Sequence, residues 1–276
     1  MLIAPPVFLV LILALALAGG AYGMKWLTLS GAVATFVVGA IIFGMGGGIF
    51  VVPLLTFFVT SSLLSKIRSA RKRTADSHAV KGSRRDAAQV LANGSIATLL
   101  VILFWLVGKS WSLLHMRYLL MLYLAALASV NSDTWATEIG GLSPSPPRLL
   151  STWRPVKAGE SGAVSGLGLL GALLGSLIIP LSTFLLWNLS IAELITVVWA
   201  GFLGSLIDSL IGAGVQAKYR EEATGKLTEA AVTNGRANKR VSGIAWVNND
   251  VVNFLASVGG TLCALAMLTF CAYSVR

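Results

Sequence analysis

Histidine and cysteine are almost missing from this chain: His78, His115, Cys263 and Cys271 are the two of each in 276 residues. Both cysteines fall in one apolar stretch near the C-terminus, so there is no disulfide framework. Four such residues at these spacings make no zinc pattern either. Charge is scarce too. Asp, Glu, Lys and Arg make up 12% of the chain, against about 25% in ordinary soluble domains. Acids are scarcer than bases, 11 against 21, which leaves a net charge of +10 and a pI near 10.0. In a soluble protein that excess would point to nucleic acid. The base-stacking aromatics and loops of a nucleic-acid module are absent, which argues against it.

Apolar residues fill the space instead: 56% of the chain is hydrophobic, with a mean hydropathy of +0.81. Crossing a bilayer takes about 20 apolar residues in a helix. Eight segments are candidates, at 3–17, 26–43, 49–59, 88–107, 118–139, 164–187, 191–215 and 247–272. The third is short and follows the run GMGGG, so a broken or re-entrant element is expected there. The first carries small residues near its end, as a cleaved signal does. It lacks a basic n-region, which favours a retained helix. The fold class expected is an all-α polytopic membrane protein, one domain over 1–276. It has about seven to eight transmembrane helices, some broken or re-entrant.

Three linkers, about 65–86, 146–157 and 218–240, are rich in Lys and Arg. The positive-inside rule places them in the cytoplasm, leaving the links near Lys109 and Asn188, and both termini, outside. Residues three and four apart share a helix face. Asp86, Gln89 and Asn93 form one polar stripe, and Asn131, Thr134 and Glu138 a second. Ser205, Asp208, Gly212 and Gln216 form a third, and Asn249 or Asp250 with Asn253 and Ser257 a fourth. All four lie at cytoplasmic helix ends under that orientation. Asp208, ten residues before Lys218, is expected about 15 Å inside the layer. A carboxylate there costs about 2.5–3.5 kcal/mol or more and faces a cavity or a partner. Ion pairs to Arg84, Arg85 or Arg148 would explain single acids, but not the accompanying amides, hydroxyls and glycines.

Asp133 and Glu138 are five residues apart, about 140° around a regular helix. Either the helix breaks near Ser132 or the two carboxylates do different jobs. Gly162, Gly166, Gly171 and Gly175, with Ser165, begin the sixth segment. They suit close helix approach or a phosphate at a helix N-terminus. Oxygen ligands without a His or Cys cluster suit a hard cation such as Mg²⁺, which completes its shell with water and substrate phosphates. Lys66, Lys81, Arg84, Arg85, Arg148, Arg154 and Lys157 are cations available for phosphate. Lys218, which opens the outlying third linker, is expected to matter little to the site.

The motifs FFVTSSLLSK, KGSRRDAAQVLANG, NSDTWATEIG, SPPRLLSTWRPVKAGESGAVS, GSLIDSLIGAGVQ and WVNNDVVNF occur in that order between Phe57 and Phe254. They resemble the membrane family of plant phytyl-phosphate kinase and the transmembrane-protein-19-like proteins. For the plant member the resemblance implies conversion of phytyl phosphate to phytyl diphosphate with a nucleoside triphosphate, CTP being favoured, on the way to tocopherol and phylloquinone. Carried over by position, the motif residues are Ser62, Lys66, the run from Lys81 to Asn93, Asp133, Glu138, Arg148, Trp153, Asp208, Gln216, Asn249 and Asn253. Asp133, Glu138 and Asp208 are assigned to Mg²⁺ and to catalysis, and Ser62, Lys66, Lys81, Arg84, Arg85, Asn93, Arg148, Lys157, Gln216, Asn249 and Asn253 to the isoprenoid phosphate and the nucleotide. Glu160 departs from the uncharged residue expected in the glycine-rich run, and a carboxylate there would repel phosphate unless it binds metal. Two other readings remain open on the residues alone. One is a transporter or flippase of an anionic or lipid-phosphate substrate. The other is a cytidylyltransferase that joins a nucleotide to a lipid phosphate and releases pyrophosphate.

Overall fold

In the computed structural model, residues 6–67, 84–108, 110, 112–222, 224–225, 227–233 and 235–274 are described. Helix α1 (Val7–Gly23) precedes α2 (Leu29–Ile41), whose end unwinds into a π-helical turn, Ile42–Gly46. Gly47, at φ 76°, then reverses the chain into α3 (Gly48–Leu64). That left-handed φ is open to glycine at little cost. The expected break therefore takes the form of a tight turn between two helices. The remaining helices are α4 (Ala87–Val107), α5 (Leu113–Gly140), α6 (Gly166–Thr183), α7 (Ile191–Gly214) and α8 (Asn249–Ser274). Among the described residues six spans are long and apolar enough to cross a membrane, and α1 and α3 are shorter apolar helices.

The helix starts follow local chemistry. Asp86 accepts from the Gln89 amide at 2.9 Å while the Gln89 side chain accepts from the Asp86 amide at 3.2 Å, a reciprocal capping box. Ser190 and Glu193 repeat the arrangement at α7, and Ser165 accepts from the Gly168 amide at the start of α6. Asp86 and Gln89, read as part of a polar stripe, therefore serve first to start α4.

Helix α5 is the axis of the bundle. Every residue from Met121 to Ser132 is buried, as expected of a helix that is apolar on all sides. Its 28 residues make about 42 Å, longer than the hydrocarbon layer of about 30 Å. Its last turns therefore reach the membrane margin. At one end Phe50, at the start of α3, packs its ring 4.9 Å from Phe104, 5.0 Å from Tyr123 and 5.1 Å from Trp187. Tyr123 Oη donates to the Phe50 carbonyl at 2.5 Å, so the buried phenol has its hydrogen-bond partner. Arg117 Nη2 donates to Glu193 Oε2 at 2.7 Å at this same end.

The second and third basic linkers gather at the opposite end, and they are not plain loops; most of the first, 68–83, lies outside the described residues. The α5–α6 connection, 141–165, pairs β1 (Arg148–Leu149) with β2 (Ala163–Val164). The α7–α8 connection, 215–248, holds a three-stranded antiparallel sheet of order β4–β3–β7, formed by Leu227–Thr228, Lys218–Arg220 and Lys239–Ser242. A hairpin of β5 (Val232–Thr233) and β6 (Arg236–Ala237) completes it. The all-α expectation thus holds for the spans, and short sheets are added outside them.

Candidate functional site

At the basic end α5, α6, α7 and α8 surround a cavity of about 1010 Å³. Its lining includes Asp133 and Glu138 from α5, Ser205 and Asp208 from α7, and Asn249 and Asp250 from the start of α8. The loop carrying Lys157, Glu160 and Ser161 forms one wall, and Tyr219 and Glu229 from the α7–α8 sheets form another. Helix α7 ends at Gly214, so Asp208 lies six residues, about 9 Å, from the helix end. That is shallower than the 15 Å expected when the helix was taken to continue to Lys218.

Beside the cavity, Asp133 and Asp208 also border a gap too narrow for a water molecule, shared with Asn93 of α4, Asn253 of α8 and Ser129. Four helices thus converge two carboxylates and two amides at one point. Asp208 Oδ2 and Asn93 Oδ1 are enclosed there and accept no hydrogen bond. A buried oxygen without a donor costs about 1–3 kcal/mol or more, so two of them side by side call for a positive partner. An all-oxygen set of this kind suits a hard divalent cation such as Mg²⁺. The charged neighbours of Asp208 are Asp133 and Glu229, and no cationic side chain from α4, α5, α7 or α8 is among them.

Several expected residues stand elsewhere. Helix α5 is unbroken through Ser132, so Asp133 and Glu138 point to different sides. Glu138 accepts from Ser65 Oγ at 2.5 Å, on the side of α3. Among the described residues no three acidic, histidine or cysteine side chains gather into a metal-binding group, so the expected trio of Asp133, Glu138 and Asp208 does not form as one cluster. Asn131, drawn into a stripe with Glu138, is fully buried and donates from Nδ2 to the Gly175 carbonyl at 2.7 Å. It ties α5 to α6.

The cations divide in the same way. Arg84 donates to the Leu27 carbonyl from Nε and Nη2, at 3.1 and 2.8 Å, and lies over the Tyr22 ring. Arg85 donates to Ser61 Oγ at 2.9 Å and stacks on Phe57 and Phe58. Burial lowers its pKa to about 10, which leaves it charged at neutral pH. Lys66 donates to the Met24 carbonyl and lies over Trp26. These three fasten the α1–α2 link and the ends of α3 and α4, and they do not line the cavity. Ser62 is buried in α3. Arg148 donates to the Trp153 carbonyl across the turn after β1. Lys81 lies outside the described residues. Lys157 is the cation on the cavity lining among the described residues.

Lys218 overturns an expectation. Far from outlying, its Nζ lies 3.9 Å from Glu160 Oε1 and donates to the Ser161 carbonyl at 3.2 Å. Glu160, the departure in the glycine-rich run, is thus balanced by a local cation. Buried Gln216 accepts from Ser161 Oγ at 2.5 Å, so it braces this wall from behind. Glu229 was missed entirely. It belongs to no helical stripe; the one sequence signal that could have shown its linker to be folded is the Asn-Gly pair at 234–235, a hairpin signal.

The apolar spans define a polytopic integral membrane protein, with an acidic cavity at one end of the bundle as its candidate site. Residues 12–261 match the family model described as "Integral membrane protein DUF92". The chain belongs to this family. It is 35% identical over 261 residues to Protein PGR of Arabidopsis thaliana, covering 85% of this chain and 86% of that one. It is 29% identical to an uncharacterized membrane protein of Methanocaldococcus jannaschii, over 87% of this chain and 84% of that one. It is 25% identical to Protein VTE6, chloroplastic, of Arabidopsis thaliana, over 88% of this chain and 66% of that one. No solved structure matches.

Proposed function

We propose that the protein is a Mg²⁺-dependent kinase that converts an isoprenoid monophosphate, phytyl phosphate or a similar prenyl phosphate, to its diphosphate. The donor is a nucleoside triphosphate, with CTP favoured by the motif resemblance. The observation that carries this reading is the pair of enclosed, unpartnered oxygens, Asp208 Oδ2 and Asn93 Oδ1, beside Asp133 and Asn253. Asp133, Asp208, Asn93 and Asn253 would hold the cation, whose contribution is to neutralise phosphate charge. Phosphoryl transfer needs alignment and charge neutralisation more than a protein nucleophile. An oxygen of the acceptor phosphate bonds to the terminal phosphorus of the donor as the bond to the nucleoside diphosphate breaks.

The site's place at the membrane margin supports a lipid acceptor. A prenyl tail can stay among the helices while its phosphate meets a water-soluble donor. Lys157 on the cavity wall is placed to meet phosphate, and Asn249 borders the same space. The positive-inside rule turns this end to the cytoplasm.

The test is turnover by purified protein in detergent with Mg²⁺, phytyl or geranylgeranyl phosphate, and CTP or ATP, with lipid and nucleotide products resolved by mass spectrometry. The expected result is a prenyl diphosphate and a nucleoside diphosphate, lost in Asp208→Asn and in Asp133→Asn. A nucleotide-linked lipid with pyrophosphate would establish the cytidylyltransferase instead. No product from well-folded protein would overturn the kinase and return the site to transport.

A further inference from the structure

Four cations converge on the link between α1 and α2. Lys25 lies in the link itself, Lys66 just past the end of α3, and Arg84 and Arg85 just before α4. The Lys66 ammonium lies 5.0 Å from the centre of the Trp26 ring, and the Arg84 guanidinium 5.7 Å from that of Tyr22. Their bonds to the Met24 and Leu27 carbonyls hold these heads in place without neutralising them. A lysine carries three N–H donors and an arginine five, so each keeps donors to spare. Among the described residues no carboxylate is ion-paired with Lys25, Lys66, Arg84 or Arg85. Asp86, next to them in the chain, is engaged in starting α4. None of the four lines the cavity.

Lys25 stands where glycine is expected. It ends α1 in the left-handed region, at φ 58°. Its amide donates to the Tyr22 carbonyl and the Trp26 amide to the Ala21 carbonyl, both at 2.9 Å. That paired closure of a helix end usually carries glycine at the left-handed position, because a side chain there is strained. Glycines stand nearby at 19, 20 and 23, yet a lysine holds this position, exposed like Lys66 and Arg84. The enclosed Trp26 indole N–H has no acceptor, and an orphaned donor beside an unpaired ammonium is what the oxygen of a bound anion would complete.

An apolar lane leads up to this cluster. Phe8, Leu15 and Tyr22, seven residues apart, lie on one face of α1 and are all exposed, as the helical period requires of such a spacing. Tyr22 ends the lane at the Arg84 head. A soluble anion has no use for such a lane, whereas an acyl chain does. Basic residues at the cytoplasmic membrane margin attract anionic headgroups, and Tyr and Trp side chains favour that same level. We propose that the α1–α2 link, with the ends of α3 and α4, binds the phosphate headgroup of an anionic phospholipid. Lys25, Lys66 and Arg84 meet the phosphate, and an acyl chain runs along Phe8 and Leu15. This lipid is a resident of the bilayer and not the substrate. Its site borders the cavity, because Ser65, the neighbour of Lys66, donates to Glu138 on the cavity lining.

The experiment is native mass spectrometry of the purified full-length protein in detergent, titrated with phosphatidylglycerol, with phosphatidylcholine and with inorganic phosphate. It is run at about 0.15 M ionic strength, where exposed charges more than about 8 Å apart are screened. Wild type is expected to hold phosphatidylglycerol more tightly than the zwitterionic phosphatidylcholine. Lys25→Gly removes the charge and relieves the backbone. It should weaken phosphatidylglycerol binding about fivefold, one cation's share at an anionic surface, with phosphatidylcholine binding unchanged and the thermal midpoint no lower. Lys25→Arg should bind as wild type. Arg240→Gln, which removes a charge from the exposed strand β7, should also bind as wild type. Equal wild-type affinity for the two lipids would overturn the proposal, and so would a loss in Arg240→Gln matching that in Lys25→Gly, since the attraction would then be diffuse charge. Displacement of phosphatidylglycerol by inorganic phosphate at comparable concentration would overturn it in favour of a soluble anion. The kinase reading is untouched by any of these outcomes.

Discussion

Asn131 and Gly175 hold α5 and α6 together: the asparagine amide reaches the glycine carbonyl at 2.7 Å. The contact depends on a missing side chain. A Cβ at Gly175 would sit 2.8 Å from Trp135 Cβ and 3.0 Å from the Asn131 carbonyl. Gly175→Ala should therefore cost about 1–3 kcal/mol by overpacking, and Asn131→Ala about 0.5–2 kcal/mol by loss of an interhelical hydrogen bond. Thermal unfolding in detergent reads both. An unchanged midpoint in Gly175→Ala would mean that the two helices are not this close.

Glu138 and Asp208 should separate on mutation. Glu138 is engaged by Ser65 on the α3 side of α5, away from the gap bordered by Asp133 and Asp208. Glu138→Gln is expected to keep affinity for Mn²⁺, standing in for Mg²⁺, within about threefold, a change of less than 1 kcal/mol, whereas Asp133→Asn loses it. Equal losses in the two variants would restore Glu138 to the metal site.

Lys218 and Glu160 should behave as a pair. Their side chains are 14% and 28% exposed, so the interaction is only partly screened. Lys218→Ala leaves a carboxylate uncompensated on the cavity wall and should lower turnover about fivefold, near 1 kcal/mol. Adding Glu160→Gln should recover most of it. Kinetics of the two single variants and the double variant give the coupling directly; additive losses would show that the pair does not act together.

At the opposite end, Arg117 donates through two nitrogens to the Glu193 carboxylate and also to the Asn188 carbonyl at 2.8 Å. Arg117→Ala is expected to cost about 1 kcal/mol of stability, discounted for its exposure, with turnover unchanged. A selective loss of turnover would link this end to the site.

Much of this was legible in the chain because membranes impose simple rules. Apolar runs of about 20 residues gave the spans, and the GMGGG run marked the break that became the turn at Gly47. Asp133, Asp208, Asn93 and Asn253 were found because polar groups are costly in lipid and therefore stand out. The rule worked less well at the margins. Asn131 looked like a site residue and is a helix tie, since an amide stripe does not reveal whether it meets a ligand or a neighbouring carbonyl. Arg84, Arg85 and Lys66 looked free for phosphate at the site and are held outside it by backbone carbonyls, a hydroxyl and aromatic rings. Glu229 and Lys218 were lost in a linker where hydropathy has no period and only tertiary folding brings residues together.

The burial of α5 has a consequence for access. Twelve consecutive residues of that helix, Met121 to Ser132, are packed on every side, and they separate the acidic chamber from the far end of the bundle. To open the chamber in that direction, this central rod would have to unseat itself from its neighbours. Water-soluble molecules therefore meet the chamber at the end framed by the folded linkers. Under the proposed reaction, exchange at that end becomes a natural limit on how fast the protein can work.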